Sequence, residues 1–232
     1  MLASYNEVQL IVYKAALAAG VPQGLAELAG VSAAWLHVND HAGICTIGRA
    51  IANLNNNIAR PVKLNTRPGI FQADVENKLA SVLYATPSIM DLLRDKLPIS
   101  IKRLDEPLML LGALVRYSEL RRLHCTLDIR NAHGQTSVVI ADGEHRIDKP
   151  ALLDNSIDSG FSVSININAV AETLSIKDPK KHAIREWRST KNISATMEKH
   201  WHELHRLAAR SLVPESLKSK KDGAGAGTID ND

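Results

Sequence analysis

The sequence predicts an α+β fold, with α/β as its near neighbour: an N-terminal helical layer packed on a mixed β-sheet, with a strand–helix–strand–hairpin unit as its core. Three observations predict it. The stretch 97–139 reads as a short strand, a strongly apolar helix and two strands joined by a turn. The first 37 residues read as a helical hairpin rich in small residues. Phe161, Val163, Ile165 and Ile167 alternate with serines and asparagines, the period-two pattern of a half-buried strand.

In chain order, Ser4 and Glu7 have capping-box spacing, and a helix runs to about Ala19 with Gly20 behind it. Pro22 opens a second helix with Leu25, Ala26, Leu28, Ala29, Ala33 and Leu36 on one face. A third short helix covers about Ile44–Leu54. Asn55–Pro68 reads as a long connection, because asparagines and prolines break both periodicities. Helices are expected near Asp74–Tyr84 and from Thr86, as N-cap before Pro87, to about Asp95.

The core unit follows. Ile99 and Ile101 alternate with Ser100 and Lys102, and Asp105 can cap a helix with Pro107 in its first turn. Leu108–Val115 is apolar on nearly every side, the mark of a buried helix. Leu123, Cys125, Leu127 and Ile129 alternate with polar residues, Asn131–Gly134 has turn chemistry, and Thr136–Ala141 returns as a strand. Asp142-Gly143 is a further turn, and His145–Asp148 reads as a short strand. Ile193–Met197 is expected as a strand, then Lys199–Leu212 as a helix burying Trp201, Leu204, Leu207 and Ala208. The chain divides into a helical layer (1–57), an α/β core (58–217) and a Gly/Ala-rich acidic tail (218–232), expected as one compact unit.

Composition narrows the class. The 232 residues are 45% hydrophobic, enough for a substantial core. The formal charge of +3, from 28 basic and 25 acidic residues, gives nucleic-acid binding little support. Cys45 and Cys125 have no disulfide or zinc spacing and are expected as reduced core thiols. No stretch has the length of a membrane helix, and no signal peptide is evident. The expected setting is therefore cytoplasmic.

Two segments carry a family resemblance. Asn6–Leu36, with its NE, GLAE-x-AG and Trp-Leu elements, resembles the opening of a bacterial family of unknown function. Arg210–Ser216 (RSLVPES) and Asp222–Asp232 (DGAGAGTIDND) resemble that family's closing pattern of VP-x-S, GAGAG and Asp-Asn-Asp. Val21, Pro22, Gln23 and Leu212 depart from it, as do Lys218, Lys220 and Lys221. The resemblance implies that the two ends matter. It implies no reaction.

Candidate chemistry falls in four places. In the tail, Gly223, Gly225 and Gly227 allow close backbone approach to a ligand, and Asp230, Asn231 and Asp232 offer hard oxygen atoms; the alternative is a solvated tail. Asp230 and Asp232 are the candidate acid–base pair. His41, beside His37 and Asp40, is a candidate general base, or else part of a loop cap. Arg116 and Arg122, with Arg121 and His124, sit where an anionic ligand could be held; Lys177, Lys180, Lys181, His182, Arg185, Arg188 and Lys191 form a second basic run. His200, His202 and His205 lack the i, i+4 spacing of a zincin helix and read as a solvated face. No Walker or dinucleotide fingerprint is present, so the sequence names neither a cofactor nor a metal.

Two function classes remain. One is an enzyme or binding protein for a small anionic molecule that uses the C-terminal tail. The other is a non-catalytic assembly subunit, in which Ala15, Ala18, Ala26, Ala29, Ala33 and Ala34 form an interface in a homo-oligomer or with another protein.

Overall fold

A computed structural model describes residues 1–39, 41–64, 69–148, 160–167 and 189–211. The fold is α+β: a helical assembly covers one face of a mixed sheet.

The helical layer forms as the local signals dictate. Strand β1 (Leu2–Ser4) leads into α1 (Tyr5–Ala18). Ser4 Oγ accepts the Glu7 backbone N–H at 3.2 Å, and the Glu7 carboxylate accepts the Ser4 N–H at 3.5 Å, closing the capping box. Gly20 takes φ +80° just past the helix end, where a side chain would be strained. Helix α2 (Gln23–Val38) follows Pro22, and α3 (Gly43–Asn55) follows a tight turn.

Asn55–Pro68 contains more than a connection. Strands β2 (Ala59–Arg60) and β3 (Val62–Leu64) lie within it. The helix expected near Asp74–Tyr84 is not formed either: β4 (Ile70–Ala73) and β5 (Leu79–Ala80) precede a single helix, α4 (Val82–Arg94). Pro87 lies inside α4, and Thr86 Oγ1 donates to the Val82 carbonyl at 2.7 Å rather than capping a new helix. Tertiary pairing decides this region. The two-residue β5 is held between β2 and β6 (Ile99–Leu104), parallel to both.

Helix α5 (Pro107–Arg121) returns the chain to β7 (His124–Asn131), β8 (Gly134–Ala141) and β9 (Glu144–Ile147), a meander. Strand β10 (Phe161–Ile167) inserts between β6 and β7, antiparallel to each. The sheet path is therefore β2-β5-β6-β10-β7-β8-β9, with the β3–β4 pair joined beside β6. A strand was expected at Ile193–Met197. Instead, β11 (Thr190–Asn192) pairs with β1, and α6 (Ala195–Arg210) begins behind Ser194.

Cys125, Leu127 and Ile129 of β7 turn inward, together with Ile99, Ile101, Val163 and Ile165. Helix α5 lies on this face, and α2 packs on the far side of α5. That sandwich explains why α5 is apolar all round: Leu108 through Val115 are buried without exception. Both cysteines are free and buried, as expected, and burial pushes the Cys125 thiol up to about 12.

Backbone approach to α2 is close on three sides. A Cβ on Gly30 would lie 2.7 Å from the Gln9 carbonyl oxygen of α1, and one on Gly112 would lie 2.7 Å from that of Ser32. On Gly43 it would meet the Ala33 carbonyl. Ala15, Ala26, Ala29, Ala33 and Ala34 are all buried within the chain, and Ala18 is half-buried. The small-residue face proposed as an assembly interface is thus largely consumed inside the subunit.

The carboxyl ends of β5 and β6 meet at Asp105 and Glu106. Asp105 does not cap α5 through its side chain alone: its Oδ1 accepts both the Val82 N–H, at the start of α4, and the Glu106 N–H, each at 2.8 Å. Glu106 is the N-cap residue of α5 and receives a two-pronged ion pair from Arg49 of α3, at 2.7 and 2.9 Å. Burial, offset only in part by the Val82 N–H and reinforced by the Glu106 charge, raises the Asp105 carboxyl to about 7. Burial also raises Glu106, against the pull of Arg49. Asp105 Oδ2 is buried with no hydrogen-bond partner among the described residues, the natural place for the proton.

Gly112→Ala should destabilise by about 1–3 kcal/mol through the Ser32 clash, whereas Gly24→Ala, with nothing within 4 Å, should stabilise by up to about 1 kcal/mol; urea unfolding reads both. A carboxyl whose folded value is raised contributes stability at low pH that is lost as pH rises. The unfolding free energy of the wild type relative to Asp105→Asn should therefore fall by roughly 4 kcal/mol between about pH 4 and 7, and a constant difference would contradict the assignment.

Candidate functional site

The turn between α2 and α3 places His41. Asn39 Nδ2 donates to the Trp35 carbonyl at 2.9 Å, the His41 N–H bonds the Leu36 carbonyl at 2.9 Å, and the Gly43 N–H bonds the His41 carbonyl at 2.7 Å. Backbone hydrogen bonds thus fix the ring's origin against the end of α2, whose Trp35 is buried.

The opposite partner comes from the sheet edge. Asp142 and Gly143 both have positive φ, +49° and +87°, the requirement of a tight Asp-Gly hairpin between β8 and β9. Helix α5 holds this turn: Gly143 N–H donates to Ser118 Oγ at 2.9 Å, and the Glu119 side chain packs against Gly143. Asp142 Oδ2 lies 3.0 Å from His124 Nε2. Two residues past the turn, paired across the ladder with Ile140, is His145.

His41 Nε2 and His145 Nε2 are 3.0 Å apart. At that distance one proton lies between the rings and a second does not fit, so one imidazole donates while the other accepts. Trp35 backs both. Its ring is stacked on His41 at 5.9 Å and 24°, and meets His145 edge-on at 5.2 Å and 70°. The indole removes water from one side of the pair. Burial and the neighbouring His41 lower His145 to about 4. The result is an aromatic-walled, half-buried imidazole pair in which one ring donates to the other, an arrangement that suits general acid–base work.

The other expected residues separate into three groups. Arg116 lies in α5 and pairs with Glu119 at 3.0 Å, so it borders the hairpin turn that precedes His145. Arg122 is exposed, in the left-handed conformation that ends α5. Gly223, Gly225, Gly227, Asp230, Asn231 and Asp232 lie outside the described residues, as do Asp40 and every member of the basic run except Lys191, which lies in β11. His202 and His205 are exposed on α6, with His205 edge-on to Trp201 at 4.6 Å. No group of three His, Cys, Asp or Glu residues among the described residues could hold a metal ion.

Sequence reasoning found His41 but paired it with Asp40. Its described partner, His145, is 104 residues away and carries no local signal beyond lying in an expected strand. The Arg49–Glu106 pair, 57 residues apart, was likewise invisible.

Comparison with known proteins sets the frame. Residues 3–68 match a protein family described as "Protein of unknown function (DUF3726)". No curated protein matches the sequence. Among solved structures, sulfolactate dehydrogenase from Methanocaldococcus jannaschii superimposes with a TM-score of 0.55 at 9% identity, over 91% of this chain and 97% of that one. A dehydrogenase from Sinorhizobium meliloti aligns with a TM-score of 0.47 at 12% identity, over 95% and 98% of the respective chains. The first likeness is one of fold alone. No helix among the described residues is long and apolar enough to cross a membrane.

The imidazole pair should be visible in folding. A histidine held below its ordinary value opposes folding as pH falls, because the unfolded chain takes up the proton first. Stability should drop by roughly 3 kcal/mol from about pH 6.5 to about pH 4 through this group, and denaturant titrations of His145→Gln should show a correspondingly shallower loss.

Proposed function

We propose that this protein binds a small anionic molecule beside Trp35, His41 and His145, and that the imidazole pair moves a proton at the bound molecule. The observation that carries the reading is the 3.0 Å Nε2–Nε2 contact walled by a buried tryptophan. Such a pair holds one proton in a water-poor setting and presents at most one positive charge to an anion. Arg116 borders the same hairpin through its ion pair with Glu119.

The fold it shares with a sulfolactate dehydrogenase makes small anionic hydroxy acids the first substrates to try, sulfolactate among them. Dehydrogenation also needs a hydride acceptor. At the carboxyl ends of β5 and β6, where a parallel-strand fold would cradle a dinucleotide pyrophosphate, the first N–H groups of α4 and α5 already donate to the Asp105 carboxyl, and Arg49 is taken up by Glu106. With those donors and that cation already engaged, the position does not fit a pyrophosphate. The glycines Gly223, Gly225 and Gly227 allow close backbone approach, and with Asp230, Asn231 and Asp232 they are assigned to the same anion site. The assembly reading loses its main support because the alanine face is buried within the subunit.

The test is a panel of small hydroxy and keto acids, screened for binding by calorimetry and for turnover. His41→Gln and His145→Gln should each lower turnover by about 10²–10⁴-fold, with smaller effects on binding. Deleting 223–232 should abolish binding while leaving the melting temperature within a degree or so of wild type. Full turnover in both histidine variants would overturn the acid–base assignment, and full affinity in the truncated chain would remove the tail from the site.

A further inference from the structure

We infer that the cleft between the C-terminal halves of α3 and α6 is a second ligand site, for a small divalent oxyanion gripped by Arg206 and Arg210. Helices α3 and α6 run side by side in the same direction. Cys45 Sγ contacts the Thr196 carbonyl at 3.6 Å, and Gly48 faces His200, where a Cβ would come within 2.7 Å of Nδ1. Beyond that contact a groove of about 220 Å³ opens. Gly48 and Ala52 leave space on the α3 side, while Leu204 and Leu207 form the α6 wall. Asn55 and Asn56 close the end with two side-chain amides, and Arg206 and Arg210 stand on the α6 side.

Four residues apart on one helix, the two guanidiniums project along the same face. Neither forms an ion pair or hydrogen bond among the described residues, which distinguishes them from Arg49 and Arg116. Glu203, the one acid in the lining, leans toward His200 at 3.7 Å. The cleft therefore has two exposed cations against one partly engaged carboxylate. Guanidinium forks match the paired oxygen atoms of carboxylate or phosphate. The volume is below the roughly 300–1,000 Å³ of a drug-sized pocket, so it selects a ligand of a few heavy atoms. This site lies at the opposite end of α3 from His41 and stands or falls independently of the imidazole pair.

The experiment is titration of the full chain with inorganic phosphate and with succinate, at fixed ionic strength, read by amide chemical shifts and calorimetry. Saturable binding centred on α3 and α6 is expected. Arg206→Gln and Arg210→Gln should each weaken it by about tenfold or more. Ala52→Leu should block it with both arginines intact, and Lys199→Gln, an exposed charge on the same helix, should leave it within about twofold. Phosphate binding alone would identify a tetrahedral anion and succinate alone a dicarboxylate, and either upholds the site. Absence of saturable binding by both anions would overturn it. So would an equal loss in Lys199→Gln and Arg206→Gln, since general surface charge would then account for the effect.

Discussion

Close packing against α2 is the constraint on which the rest of the molecule depends. Three neighbours approach its backbone so tightly that a single methyl group would collide, at Gly30, Gly43 and Gly112. These contacts set α1 on one side, turn the chain sharply into α3, and seat α5 between α2 and the sheet. Everything chemical is then positioned by inheritance. Trp35 is the anchor at the end of α2, His41 leaves from that end, and α5 carries Ser118 and Glu119, which hold the hairpin presenting His145. The imidazole pair is where the two faces of α5's packing, helix layer and sheet, come back into contact.

A second constraint acts at the ends of β5 and β6. Negative charge beside helix N-termini is favourable, and Asp105 and Glu106 supply it internally. The arrangement ties α3, α4 and α5 together through two side chains and Arg49. Its net contribution to stability is modest, because burial of both carboxyl groups opposes ionisation. What it fixes is geometry. It also uses up the positions where a parallel-strand fold would otherwise welcome phosphate, which directs attention to the opposite end of the helical layer and to the sheet edge.

Much of the fold was legible because its signals are local. The Ser4/Glu7 capping box, the all-round apolarity of Leu108–Val115 and the alternation in β6, β7, β8 and β10 each need only a few neighbours to be interpreted. The region from Asn55 to Arg94 was misread for the opposite reason. Strands of two to four residues have no periodicity to display, and β5 exists because β2 and β6 flank it. Thr86-Pro87 has the chemistry of a helix start, yet the Val82 carbonyl captured the threonine hydroxyl and the helix ran through the proline. At the candidate site, the residue types were visible and the pairings were not. His41 and Asp105 stood out singly, while their relations to His145 and Val82 are products of topology.

One proton lies between His41 and His145 against Trp35, and this sharing is open to direct measurement. Nitrogen-15 resonances of the histidine rings, followed from about pH 4 to pH 8, test it most directly. His145 should stay neutral down to about pH 4, with one Nε2 in the pair showing donor and the other acceptor character, and His41→Gln should move His145 upward in part, since burial remains the larger cause. Two rings titrating independently near pH 6.5, each unaffected by replacement of the other, would contradict it.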